Sequence, residues 1–101
     1  MILVDTSIWV DHLNKEDSGM QELLFAGSVL CHAFVIGELA VGNLHPRQAI
    51  LKMLQRLPSI PAATHKEALN FIAQNNLFGI GIGYIDAHLL ASVRLLSLIH
   101  I

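Results

Sequence analysis

The sequence predicts an α/β domain whose parallel sheet is covered by helices on both faces. Three observations lead there. Short apolar runs (Met1 to Val4, Ser28 to His32, Pro58 to Ala62) alternate with helix-length segments in the order β-α-α-β-α-α-β-α-α. Strands alternating with helices make parallel pairs joined by helical crossovers. The first two runs are near-continuously apolar, as strands buried on both faces are. At 101 residues the chain has the size of one domain with one core.

Each element has its own signal. Met1 to Val4 is the first strand and ends at Asp5. Thr6 or Ser7 then caps a helix carrying Ile8, Trp9, Val10 and Leu13. Asn14 to Gly19 is polar and reads as a loop. Ser18 caps a short helix with Met20, Leu23 and Leu24, closed near Gly27. Val29, Leu30 and Cys31 form the second strand. Ala33 to Val41 is a helix stopped by Gly42. Pro46 suits a first helical turn, and the helix behind it runs to about Leu57 with Ala49, Ile50, Met53, Leu54 and Leu57 on one face. Pro58 to Ala62 is a weak third strand. Thr64 with Glu67 fits a capping box that opens a helix to about Asn76. Phe78 to Gly83 is a glycine-rich connection, and Ile85 to Leu96 is a long apolar helix.

Composition narrows the function. Hydrophobic residues are 53% and charged residues 14%, against about 25% charged in typical domains. Disorder is excluded. So apolar a chain either covers its surface with a partner or lacks part of its natural length. The net charge of −2 gives no basic field for long-range attraction of nucleic acid. A single Cys31 gives no disulfide framework and points to a reducing, cytoplasmic setting. The longest uncharged run, Ala68 to Ile85, contains Asn70, Gln74, Asn75, Asn76 and three glycines, so it is not a membrane span. Asp5 and the lack of a basic start exclude a signal peptide.

The acids fall into two groups. Asp11, Glu16, Asp17, Glu22 and Glu67 lie in polar or helix-start sequence, where solvation or capping accounts for them. Asp5, Glu38 and Asp86 are embedded in apolar sequence. A carboxylate beside a core is costly unless paired or bound to a cation. Of the 6 Lys and Arg, Lys15, Arg47, Lys52, Arg56 and Lys66 sit in polar stretches. Three clustered carboxylates would also repel one another. A hard divalent cation, Mg²⁺ or Mn²⁺, resolves both problems with oxygen ligands. The alternative is that Asp5 caps the following helix while Glu38 and Asp86 face solvent.

Leu3-Val4-Asp5-Thr6-Ser7-Ile8-Trp9, then Gly37-Glu38-Leu39 in an apolar helix, then Asp86-Ala87 opening a long helix, resembles the PIN domain. More narrowly it is similar to the VapC-type ribonuclease toxins of toxin–antitoxin pairs. The resemblance covers nearly the whole chain to about Leu95. It implies a three-layer α/β/α fold and metal-dependent endoribonuclease cleavage of RNA phosphodiester bonds. It implies Asp5, Glu38 and Asp86 as catalytic metal ligands for Mg²⁺ or Mn²⁺, with Thr6 and Ser7 as hydroxyl-bearing support behind them. It further implies an RNA substrate (transfer RNA at the family level), a small cognate antitoxin that masks the acidic site, and a homodimer.

The chain departs from the family at its end. Members carry a further strand and helix and a fourth acid, so residues 1–101 are expected to be a single PIN-like domain lacking its last strand and helix. The residues Leu96-Ser97-Leu98-Ile99-His100-Ile101 also translate CTG-TCT-CTT-ATA-CAC-ATC, a transposon end used as a sequencing adapter. Residues 96–101 are therefore expected to be non-native, though Leu98 to Ile101 is short and apolar enough to add to the sheet.

Other features carry less. Six His lack the spacing of a zinc site. His88 lies on a different helix face from Asp86 and reads as packing or support. Gly79, Gly81 and Gly83 are no nucleotide-binding fingerprint. Arg47, Lys52 and Arg56 form a solvated flank that RNA phosphate can meet. Trp9 is core or interface, with base stacking as the alternative. Two competing functions remain: a degenerate PIN domain acting only as an antitoxin-binding module, and a phosphatase with a response-regulator-like sheet. The latter needs a late Lys, and none follows Lys66.

Overall fold

The computed structural model describes residues 1–15, 18–96 and 99–100. Strand β1 (Ile2–Leu3) is followed by helices α1 (Thr6–Lys15) and α2 (Ser18–Phe25). Strand β2 (Val29–Leu30) precedes α3 (Ala33–Val41) and α4 (Arg47–Arg56). Helices α5 (His65–Gln74) and α6 (Tyr84–Leu96) lead to β3 (Ile99–His100). The chain is thus mixed α/β, with a small parallel sheet in the order β2-β1-β3.

Ile2 pairs with Val29 and with Ile99, and Leu3 with Leu30 and with His100. The first strand is therefore central. Leu3, Val4, Val29, Leu30 and Cys31 are buried, as their unbroken apolar run requires of central parallel strands. The helices close the core around them with Trp9, Met20, Val35, Leu39, Leu54, Leu89 and Val93. Helix α1 packs on α3, α3 on α4, and α5 on α6. Trp9 is 0% exposed, which settles its role as core and overturns base stacking.

Several boundaries follow the local chemistry. The Thr64 hydroxyl accepts from Glu67 N–H at 3.1 Å, and the Glu67 carboxylate accepts from Thr64 N–H at 2.9 Å, completing the capping box. Donation from the Thr64 backbone N–H, and then from the Thr64 side chain, holds the Glu67 carboxyl below its ordinary range. Gly42 caps α3, its N–H donating to Leu39 C=O. Gly27, at φ 67°, ends the turn after α2.

Other boundaries correct the sequence reading. Asn14, Lys15, Ser18 and Gly19 are helical rather than loop, while 16 and 17 lie outside the described residues. Burial of Met20 offsets the weak helix propensity of Gly19, which amounts to about 1 kcal/mol. Pro46 is the N-cap of α4, not its first turn. Ala49 is exposed, so the apolar face of α4 is Ile50, Met53, Leu54 and Leu57. Pro58 to Ala62 makes one parallel bridge, Ser59 to Cys31, and no longer strand. Pro58 and Pro61 carry no N–H, so the ladder cannot extend past them. At the far end Ile99–His100 does pair on β1. Residues 98 and 101 of the expected strand Leu98 to Ile101 lie outside the described ones. Among the described residues no helix is long and apolar enough to cross a membrane.

Candidate active site

The carboxyl end of β1 is where an open parallel sheet offers a crevice, and Asp5 lies there. It is half-buried, and its Oδ1 accepts from the Thr6 N–H at 2.8 Å. Thr6 opens α1, and its hydroxyl donates to Glu38 Oε1 at 2.8 Å. One threonine therefore holds an oxygen of each of two acids from different elements.

Glu38 reaches this point because α3 is fixed at its start. His32 caps the helix, its Nδ1 accepting from Phe34 N–H at 3.0 Å. Val35 and Leu39 are buried on the core side, which turns Glu38 outward. At the other end Arg47 Nη1 donates to Ala40 C=O at 2.8 Å, a cation on a helix C-terminus. Lys52 and Arg56 are exposed on the same helix as Arg47.

Asp86 stands in the first turn of α6 and is exposed. A negative charge is favoured at that end of a helix. A Cβ built on Gly83 would lie 4.0 Å from Asp86 Oδ2, so the carboxylate turns back over the helix start. The expectation of three acids beside the core needs correcting. Asp5 is half-buried, but Glu38 and Asp86 both face solvent, because each sits on the outer stripe of an otherwise apolar helix. The structure joins Asp5 and Glu38 through Thr6. It does not gather Asp86 with them: among the described residues no three of His, Cys, Asp or Glu form a group able to hold a metal ion. Ser7 is exposed on α1. Beside Glu38 runs a groove of about 370 Å³ between α1, α3 and α4, with Val10, Leu13, Leu39, Leu44 and Ile50 in its walls.

A second polar group stands behind Asp86 on α6. Tyr84, His88 and Ser92 recur at four-residue spacing and lie on one face of the helix. The Tyr84 hydroxyl is bonded to His65 Nδ1 and, at 2.9 Å, to His88 Nε2. Phe34 packs edge-on against both His32 and His88. His32 Nδ1 is an acceptor, so its proton sits on Nε2 and is donated to Ser92 Oγ at 3.1 Å. Ser92 Oγ also accepts from Ala63 N–H at 2.9 Å and donates to His88 C=O at 2.8 Å. Burial, then the His88 charge, lowers the His32 pKa. Burial, then the His65 charge, lowers that of His88. The expectation that His88 serves packing or support agrees with this placement. Sequence reading missed Ser92 and His32. For Ser92 the signal was a polar stripe along the apolar α6; for His32, which precedes α3, no local signal pointed to its partner.

No family model matches the sequence. Ribonuclease VapC32 of Mycobacterium tuberculosis strain CDC 1551 / Oshkosh is 44% identical over 97 residues, covering 96% of this chain and 78% of the relative. Ribonuclease VapC32 of strain ATCC 25618 / H37Rv is 44% identical over 97 residues with the same coverage.

Proposed function

Because the chain belongs to the VapC-type PIN ribonuclease family, we propose that it is the toxin of a toxin–antitoxin pair, an endoribonuclease that hydrolyses RNA phosphodiester bonds with a divalent metal. The observation that carries this reading is the Thr6 hydroxyl on Glu38, with Asp5 held by the same residue at the end of β1. The proposed fold is the three-layer α/β/α arrangement of that family, in the cytoplasm.

The donor chemistry fits a hard cation, since the proposed ligands Asp5, Glu38 and Asp86 offer carboxylate oxygens alone. Thr6 commits one oxygen of Asp5 and one of Glu38 to protein hydrogen bonds. The second oxygen of each is the proposed ligand atom, and Asp86 supplies the third carboxylate. The chemistry that Mg²⁺ or Mn²⁺ supplies when bound is a more nucleophilic water and relief of charge at the phosphoryl oxygens. Ser7, exposed on α1 next to Thr6, is the proposed further hydroxyl support. Arg47, Lys52 and Arg56, exposed on α4, are the proposed cations for RNA phosphates. The apolar groove beside Glu38 is the proposed seat of a small antitoxin, and a homodimer is the proposed assembly. Transfer RNA is the proposed substrate.

A second reading, binding of the antitoxin without catalysis, is favoured by one observation: the described residues hold no ready-made three-ligand group. RNA cleavage assayed with Mn²⁺, with Mg²⁺ and with chelator separates the two. Metal-dependent cleavage that disappears in Asp5→Asn supports the ribonuclease. Antitoxin binding with no cleavage under any metal supports the binding module.

A further inference from the structure

Glu38 and Asp86 belong to helices that do not follow one another in the chain, so something must set their spacing. The loop ahead of α6 is poorly suited to do it. Gly79 and Gly81 adopt φ of 74° and 86°, and Phe78 and Ile80 are exposed. Residues 78–81 therefore add little packing of their own to aim the helix. The body of α6 is instead tied at Ser92, which is 1% exposed and saturated with three hydrogen bonds. One bond comes from His32, the residue that caps α3. Another comes from Ala63, just beyond the segment bridged to Cys31.

We infer that His32 and Ser92 are a pair of positioning residues which fixes α6 against α3, and thereby Asp86 against Glu38. The inference rests on the proposed reading in that the two acids share one site. His32 is suited to this because its two nitrogens act in opposite directions. Nδ1 starts α3, and Nε2–H reaches α6. The bond lies in the core, where water does not replace it. Both residues stand one step or more away from any reacting atom, and neither is a ligand.

The two roles of His32 can be separated. His32→Asn keeps an N-cap acceptor but is too short to reach Ser92. Ser92→Ala removes the other end, and Ser92→Thr keeps the hydroxyl. Spin labels at Val41→Cys on α3 and Arg94→Cys on α6, both exposed positions, report the spacing of the helices. Cys31 is buried with its thiol pKa pushed up, so labelling is confined to the two introduced sites.

His32→Asn and Ser92→Ala are expected to broaden or shift the interlabel distance, and the double variant to do no more than either alone. Mn²⁺ affinity, read by electron spin resonance of the free ion, falls roughly tenfold, and kcat falls roughly ten- to a hundredfold with KM for RNA within about twofold. Ser92→Thr recovers most of the loss. Variants that melt earlier yet keep the wild-type distance and Mn²⁺ affinity overturn the inference and leave a merely structural pair. A wild-type chain that binds no Mn²⁺ and cuts no RNA, while Ser92→Ala still broadens the distance, removes the ribonuclease reading and leaves the coupling of the helices standing.

Discussion

The Thr6 hydroxyl donates to Glu38 Oε1 at 2.8 Å, bridging the first helix of the chain to the third. A residue that looks like a helix start is thus also a clamp on an acid 32 positions away. Thr6→Val keeps the shape and removes the donor. The bond is solvent-exposed, so stability is expected to change by no more than about 1 kcal/mol. Activity is expected to fall roughly tenfold through misplacement of Glu38, and Thr6→Ser to retain it. Cleavage rates of the three proteins, set beside their melting curves, decide the matter; equal rates in Thr6→Val would show that the clamp is idle.

Asp5→Asn tests the acid itself. The amide oxygen can still accept from Thr6 N–H, so the fold is expected to persist by circular dichroism. Loss of the charge is expected to lower metal-dependent cleavage more than about a hundredfold. Cleavage at the wild-type rate would remove Asp5 from the site.

The buried His32 makes stability depend on pH. Its folded pKa is lowered, first by burial and then by the His88 charge. The unfolded chain therefore binds a proton before the folded one does. The stabilisation is complete above the unfolded value of about 6.5 and is lost as pH falls from there towards the lowered folded pKa. The midpoint of thermal unfolding is expected to drop between neutral and mildly acidic pH, and His32→Asn to flatten that slope. A slope unchanged by the substitution would assign the titration elsewhere.

Leu54 is 0% exposed and carries the contact of α4 with the core. Leu54→Ala is expected to destabilise by about 2–5 kcal/mol. Urea unfolding reads this directly. A loss below about 1 kcal/mol would mean that α4 packs more loosely than its burial indicates.

Elements with a local cause were legible in the sequence. The Thr64–Glu67 capping box, the Gly42 stop and the parallel strands beginning at Ile2 and Val29 each rest on residues adjacent in the chain. The third strand was legible in pattern but shrank to one bridge, because Pro58 and Pro61 withhold donors. Asp5 and Glu38 were marked out by their apolar neighbours, and Thr6 joins them. That same signal misled on burial: apolar neighbours along a helix do not bury the residue between them, and Glu38 and Asp86 turn outward. The Ser92 hub was hidden for a different reason. Its partners lie 29 and 60 positions away, and no local pattern specifies which hydroxyl meets which imidazole.

The position of β1 between β2 and β3 bears on how the protein is made. Ile2 leaves the ribosome 97 residues ahead of its partner Ile99. At about 5–20 residues per second the nascent strand waits roughly 5 to 20 seconds with one edge unpaired. Pairing of such distant residues is also slow in itself. During that interval the central strand presents a bare edge to whatever else can add a strand to it. The newborn chain thus depends on its surroundings for protection in a way the finished domain does not.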